Sequence, residues 1–272
     1  MKIVSSGRVL NSKEFYEKKQ KRKRLHLILF AVLFFSILIA LIYFSRQEQF
    51  LITEVTVQRE DVIDKDKIAE RVRGALAGYY LWIIPRANAL VYPRRGIEQQ
   101  LLAEFPRFKS VDLNLDGLRA ITISVEERIP FALYCTTTTE CFFLDEEGYI
   151  FALAPSFSGV VYFIYTTETL IENPIGKNLM PVDTFKSLPK FIEELSLLGI
   201  HPTALAIGND DYILSLPNKG EIIWRRSDDL ALVRSNLEAF LSSESIRAQS
   251  DFLDKISRLD LRTENKVFYR FK

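Results

Sequence analysis

The pattern of hydrophobic and polar positions divides the chain into one long apolar span followed by two regions of mixed periodicity. The span, Leu25 to Phe44, contains no charged residue, and twenty helical residues reach about 30 Å, the thickness of a bilayer's hydrocarbon core. It ends in large side chains rather than the small ones that precede a signal-peptidase site. We therefore predict an uncleaved transmembrane helix over residues 25–44.

The region that follows, residues 50–128, begins with a strand pattern and then a helix pattern. Residues 50–57 predict a first strand, and a bulge is expected near Glu54 because the apolar positions on either side of it fall out of phase. Asp64 is suited to cap a first helix, which Gly78 ends.

The rest of this region predicts a second helix and a hairpin. The helix spans Arg94 to Phe105 and ends at Pro106. Two segments of alternating apolar residues then meet at Asp116-Gly117, which is a strong hairpin signal. An apolar connector, residues 79–85, lies between the two helices, and its Trp82 is expected to pack in a core. The order is β-α-α-β-β, the content of a small α+β domain.

Residues 129–272 have the pattern of a mixed, mostly antiparallel β domain with helices. One helix is predicted from about residue 183 to 198, and Ser227 is expected to cap another. Trp224 lies in an apolar strand pattern and is expected to pack in the core. The strands are predicted at 131–135, 141–144, 149–153, 160–165, 203–207, 211–216, 221–225, 259–262 and 266–271.

Charge is distributed unevenly on the two sides of the apolar span. Residues 1–24 carry nine lysines and arginines against two acidic residues, a net charge of +7, whereas the remainder has a net charge of −6. Because positive flanking charge stays in the cytoplasm, we predict a cytoplasmic tail over residues 1–24 and an extracytoplasmic remainder. The tail can meet anionic lipid headgroups, and the near-neutral whole argues against nucleic acid as a partner.

The chain has two cysteines, Cys135 and Cys141, at facing strand ends of a predicted hairpin. In an oxidising compartment they are suited to a cross-hairpin disulfide, which would contribute about 2 kcal/mol through loop entropy. Two buried free thiols are the alternative interpretation. Metal binding is disfavoured because no histidine lies nearby.

No combination of residues predicts an active site or a metal site. The two histidines, His26 in the apolar span and His201 before a proline, are too few for a histidine triad or a multi-histidine metal centre. Glu126 and Glu127 adjoin on a strand and point to opposite faces, so they cannot act as a pair. The acidic turn at residues 145–148 lacks the ligand spacing of a calcium loop. We expect a protein that is not an enzyme and takes no cofactor or small-molecule substrate.

Four short motifs occur in a specific order along almost the whole chain. They are Phe50-x-Ile52-x-x-Val55-x-Val57, Phe105-Pro106-Arg107-Phe108-Lys109-Ser110-Val111, Ile121-x-Ile123-x-Val125-x-Glu127-Arg128-x-Pro130-x-Ala132 continued by Leu144-Asp145-x-x-Gly148-x-Ile150-Phe151, and Leu259-Asp260-Leu261-Arg262. In this arrangement the chain resembles the FtsQ/DivIB family of bacterial cell-division proteins. One departure is the connector Tyr79–Arg95, which is longer and more aromatic than the family's.

The resemblance implies a fold, a function and a place in the cell. It implies a POTRA domain of β-α-α-β-β order over residues 50–128 and an outer β domain over residues 129–272. The function implied is that of a non-enzymatic single-pass scaffold of the division machinery. Such a protein lies in the cell membrane, the inner one if there are two, with its N-terminus in the cytoplasm, and concentrates at the septum.

The resemblance also implies a partner site on the last strand. FtsB/FtsL-like membrane division proteins are expected to add a strand there, and the residues concerned are Val267, Phe268, Tyr269, Arg270 and Phe271. A chain-terminal strand often lies at a sheet edge, where unpaired backbone groups accept another chain. The alternative is that this strand is central and that Phe268 packs under the helix that Ser227 begins.

Two other functions stay open at the level of sequence. One is an assembly component of a secretion or pilus apparatus, in which small tethered α+β domains also occur. The other is a membrane-tethered cell-envelope enzyme that uses carboxylates. Localisation separates them from the division hypothesis, because only a division protein gathers at midcell.

Overall fold

The structure is a computed structural model that describes residues 12–58, 65–137, 139–159, 161–249, 251–263 and 266–272. Asp64, the predicted helix cap, and the first eleven residues of the basic tail lie outside the described residues. The chain forms two compact units: Met1–Gln99 with Asp112–Ser124, and Gln100–Val111 with Val125–Lys272. The predicted α+β class is confirmed, and the domain limits 50–128 and 129–272 stay predictions.

The first element is a long helix, α1, from Ser12 to Ser45. From Glu17 to Ser45 it is long and apolar enough to cross a membrane, and none of its most apolar stretch is buried by the rest of the protein. Over residues 25–44, exposed leucine, isoleucine and phenylalanine side chains recur along the whole length of this stretch. The predicted span, residues 25–44, lies within this helix.

The first unit continues with β1 (Glu54–Val57), α2 (Lys65–Leu76), the two short strands β2 (Tyr79–Tyr80) and β3 (Ile84–Pro85), α3 (Arg94–Glu104), β4 (Phe108–Asp116) and β5 (Ala120–Glu127). A three-stranded sheet has the order β1-β5-β4, with β1 parallel to β5. Helix α2 buries Ile68, Ala69, Val72 and Leu76, a spacing that places them on one face. The part of α3 from Gln100, the part of β4 up to Val111 and the part of β5 from Val125 belong to the second unit.

The first strand is shorter than its sequence pattern predicts. The amides of Thr53 and Glu54 both donate to the carbonyl of Arg119, at 2.8 and 3.1 Å, so two residues face one acceptor where the bulge was expected. Residues 48–50 form one turn of 3₁₀ helix, and β1 begins only at Glu54. The reason is a competing partner: the amide of Ile52 donates to the carbonyl of Ala87 at 2.9 Å, and the amide of Ala89 donates to that of Phe50 at 2.8 Å. The first part of the predicted strand therefore pairs with the connector rather than with β5.

The second unit contains β6 (Ala132–Cys135), β7 (Cys141–Leu144), β8 (Ile150–Leu153), β9 (Ile164–Thr167), α4 (Val182–Ser196), β10 (Ala204–Ile207), β11 (Asp211–Ser215), β12 (Glu221–Arg225), α5 (Leu230–Leu241), α6 (Glu244–Arg247), α7 (Phe252–Lys255), β13 (Ile256–Thr263) and β14 (Lys266–Phe271). Among the described residues its strands form one mixed sheet in the order β14-β13-β12-β11-β10-β9-β6-β7-β8. Most neighbours are antiparallel; β6 with β9, β9 with β10, and β12 with β13 are parallel.

One hydrophobic core joins this sheet to α4 and α5. Helix α4 buries Phe185, Leu188, Phe191 and Leu195, and its Phe191 ring lies 5.3 Å from that of Trp224. The burial of Trp224 is thus confirmed. The same expectation for Trp82 is wrong, because 92% of that side chain is exposed.

Several boundaries in the second unit differ from the sequence-based prediction. Asp229, not Ser227, caps α5, because its carboxylate accepts from the amide of Ala231 at 2.8 Å. The strand predicted at 160–165, whose first residue lies outside the described residues, is observed at 164–167, and β13 begins at Ile256, three residues before its predicted start. Helices α6 and α7 were not predicted, since single turns carry too little periodicity to be recognised.

Candidate partner-binding edge

The predicted partner strand, β14, is the last strand of the large sheet. It pairs antiparallel with β13, and on its other side no strand of the described chain pairs with it. The alternative of a central strand is therefore wrong. An edge strand presents a row of backbone donors and acceptors that can pair with another chain.

Backbone direction along β14 follows from its contacts with β13. The amide of Lys272 donates to the carbonyl of Lys255 at 3.1 Å. The hydroxyl of Ser257 is within hydrogen-bonding distance of the carbonyls of both Arg270 and Phe271, at 3.1 and 3.2 Å. In an antiparallel pair successive residues alternate between facing the neighbour and facing away. Because Lys272 faces β13 and β14 contains no extra residue, alternation makes Arg270 face β13 as well and directs the backbone groups of Tyr269 to the open edge.

The register between the two strands slips twice, and each slip leaves an extra residue in β13. Ser257 lies at the first slip, and the second lies between Asp260 and Thr263. Bulges of this kind bend the strand that contains them. Because both bulges lie in β13, β14 keeps an uninterrupted backbone along its outer side.

The side chains of β14 occupy two faces. Tyr269 and Phe271 join Phe240 of α5 and Phe252 of α7 in an aromatic cluster with ring centroids 5.4–5.8 Å apart. Phe268 lies on the opposite face and is 56% exposed. It does not pack under α5, since Tyr269 occupies that position. Partly exposed aromatic groups therefore flank the open edge on both faces.

A charged cluster supports the neighbouring strand beside Phe268. The guanidinium of Arg262 donates to both carboxylate oxygens of Asp260, at 2.9 and 2.6 Å, and to Asp211 of β11 at 2.7 Å. Hydrogen bonds from Arg262 hold the pKa of Asp260 below its usual range, and the two carboxylates raise the pKa of Arg262. The cluster links β11 to the second bulge of β13, and Asp260 is the register partner of Phe268.

The opposite edge of the sheet, β8, is covered instead. The amide of Ile150 donates to the carbonyl of Lys177 at 2.9 Å, and the amide of Gly176 donates back to Ile150 at 2.8 Å. Tyr149 forms a further bridge with Asn178. Because a loop takes up these groups, β8 offers less backbone than β14 for an added strand.

The other predicted site residues, Cys135 and Cys141, lie directly opposite each other in the register of β6 and β7. Their sulfurs are joined in a disulfide that closes the hairpin. Within the described chain, no three His, Cys, Asp or Glu side chains are grouped so that they could hold a metal ion. The cysteines thus act as a cross-link between two strands on the far side of the sheet from β14.

One buried polar group was missed at the level of sequence. Arg128 donates to Asp145, its guanidinium lies 4.0 Å from the centre of the Tyr149 ring, and both charged side chains are largely buried. Both residues belong to the third motif of the resemblance, Arg128 to its first segment and Asp145 to its continuation. Their occurrence in the two segments of one motif is the signal from which the pairing could have been found.

Comparison with known proteins adds no family to this description. No protein-family model matches the chain, and no curated protein matches it either. The candidate site therefore depends on the position, backbone direction and exposed side chains of β14.

Proposed function

We propose that this chain is a non-enzymatic single-pass membrane scaffold of the bacterial division machinery. The observation that carries the proposal is the open edge of β14, a binding surface for an extended segment of another protein. The four motifs that resemble the FtsQ/DivIB family supply the division context, and in that family the last strand docks FtsB/FtsL-like proteins.

The membrane part of the proposal rests on α1 and its charges. Helix α1 is long and apolar enough to cross a bilayer, and the basic tail precedes it. By the positive-inside rule, the tail is cytoplasmic and everything that follows α1 is extracytoplasmic. The β-α-α-β-β order and the three-stranded sheet support a POTRA domain, for which recruitment to the septum is the proposed task.

We expect a fluorescent fusion of the full chain to gather at midcell in dividing cells. The matched control is residues 1–49 with the same fluorescent protein, which keep the anchor but lack all three β-sheets and should spread over the whole membrane. Uniform distribution of the full chain contradicts a division role. Accumulation at a pole or at discrete envelope foci favours a secretion or pilus apparatus.

We expect variants of β14 to lose capture of co-expressed FtsB/FtsL-like proteins. Tyr269→Pro removes an amide that faces the open edge and should abolish strand addition without breaking a bond to β13. Tyr269→Ala is its matched control, because it removes the same ring and keeps the amide. Truncation of an exposed interface aromatic costs on the order of 1–2 kcal/mol, so Phe268→Ala should weaken capture about tenfold.

The charge and position of the contact are tested with two further variants. Arg270→Glu reverses a charge on the face of Phe268 and should weaken capture, whereas Glu238→Ala on α5 should leave it unchanged. Capture that survives Tyr269→Pro, Phe268→Ala and Arg270→Glu in a folded protein excludes this strand as the partner site.

A further inference from the structure

The connector between α2 and α3 forms a small hairpin whose tip is entirely apolar. Strands β2 and β3 pair antiparallel, and the amide of Ile83 donates to the carbonyl of Tyr80 at 2.9 Å, which closes a turn over Leu81 and Trp82. Both turn residues have positive φ, 47° and 64°. Turns with two positive φ angles favour Asn-Gly, because bulky side chains are strained there. This turn instead holds a leucine and a tryptophan.

The tip residues are among the most exposed apolar side chains outside α1. Leu81 is 86% exposed and Trp82 is 92% exposed, and Leu90 and Val91 add further exposed apolar surface next to the hairpin. Exposure of apolar side chains to water is unfavourable, and the backbone of this turn is also strained. A tip of this composition requires an apolar environment that the rest of the described chain does not provide.

The hairpin is held at the end of α1. The guanidinium Nε of Arg46 donates to the carbonyl of Ile83 at 3.1 Å, and the side-chain amide of Asn88 donates to the carbonyl of Ser45, the last residue of α1, at 2.9 Å. Asn88 is buried, so the second bond ties the connector to the helix end from within. The hairpin therefore lies where the apolar surface of α1 stops.

We propose that the hairpin 79–85 is an interfacial membrane anchor, with Leu81 and Trp82 inserted into the lipid leaflet from which α1 emerges. Tryptophan and tyrosine with nearby arginines are the side chains that occupy the boundary between headgroups and acyl chains. Here Arg46 lies near the Tyr79 ring and Arg86 near the Tyr80 ring, at 6.0 and 5.6 Å from the ring centres. The proposal rests on the proposed passage of α1 through the bilayer.

Lipid is favoured over a protein partner because the apolar tip continues the apolar surface of α1. A second contact with the bilayer would also restrict rotation and tilt of the first unit about its single helix. The consequence is a membrane-proximal unit with a defined face toward the lipid, which a simple tether would not produce.

The chain contains two tryptophans, and this makes the test direct. Trp224 has no exposed surface, so Trp82 is the reporter that a quencher in lipid or water can reach. The full chain is reconstituted in phosphatidylcholine vesicles whose acyl chains carry bromine either just below the headgroups or near the bilayer centre. We expect strong loss of Trp82 emission with the shallow bromines, weaker loss with the deep ones, and little quenching by aqueous iodide.

Two variants separate this proposal from that of the membrane-spanning helix. Leu81→Asn/Trp82→Gly introduces the Asn-Gly sequence that this turn favours and should therefore keep the fold. Because it lacks Trp82, its emission comes from Trp224 alone and gives the baseline. Adding Phe34→Trp to that variant places a reporter in the middle of α1, which deep bromines should quench. If Phe34→Trp is quenched and Trp82 is open to iodide but not to bromine, the hairpin anchor is wrong while the spanning helix stands. If neither is quenched by bromine, the spanning helix fails as well.

Discussion

Arg128→Met is expected to lower the free energy of unfolding by about 3–5 kcal/mol, because it leaves a buried carboxylate without its counter-charge. The Arg128 side chain is 14% exposed and that of Asp145 is 4% exposed. One carboxylate oxygen of Asp145 accepts from the amides of Glu147 and Tyr149, both at 2.9 Å, and the other accepts from Arg128. Methionine fills much of the arginine's volume, so the loss reports charge rather than a cavity.

The measurement is chemical unfolding in detergent micelles of the full-length chain that carries Leu81→Asn/Trp82→Gly, so that Trp224 is its one remaining tryptophan and its emission reports the core. Arg128→Met/Asp145→Asn is the matched control, because asparagine keeps an oxygen for the two amides and carries no charge. We expect the double variant to be more stable than Arg128→Met alone. The losses of unfolding free energy are also measured for Arg128→Met and Asp145→Asn separately. If the loss in the double variant equals the sum of these two losses, the two side chains do not interact.

Gly148→Ala is expected to lower the free energy of unfolding by about 2–5 kcal/mol, because left-handed backbone strain and overpacking act together. Gly148 has a φ of 78°, and a Cβ built there would lie 2.6 Å from Cγ of Phe185. That ring is fully buried in the core under α4, so it cannot move aside without disturbing its neighbours.

Gly199→Ala provides the comparison for this variant. Gly199 has the same φ of 78°, but a Cβ there would meet no atom within 4 Å. Gly199→Ala should lower the free energy of unfolding by only about 1–2 kcal/mol, which is the contribution of backbone strain alone. Thermal unfolding of the two variants therefore separates strain from overlap, and equal losses would show that the Phe185 ring relaxes at little cost.

The elements with strong local signals were predictable from the sequence. A charge-free run of twenty residues determines the apolar helix, and helical spacing determines α2, α3 and α4. Alternation around Asp116-Gly117 determines the β4–β5 hairpin, and both strands are observed beside that turn. These patterns succeed because each reports the side-chain environment of one segment, which depends on its own periodicity.

Only the tertiary structure decided the features on which the candidate sites depend. That β14 is an edge, and that Tyr269 rather than Phe268 meets α5, follow from the order of strands in a sheet assembled from distant segments. The pairing of Arg128 with Asp145 likewise joins residues from separate segments of the chain. Periodicity cannot report such contacts, because they depend on which segments become neighbours.

Trp82 shows most clearly that periodicity does not report the final environment of a side chain. Its apolar neighbours in sequence predicted a core position, yet the turn over Leu81 and Trp82 directs both side chains outward at the end of α1. An apolar run reports that its residues favour burial; whether protein or lipid buries them depends on where the fold places the run. The sequence by itself determined that this hairpin is apolar, and the hydrogen bonds from Arg46 and Asn88 determined that it lies beside the end of α1.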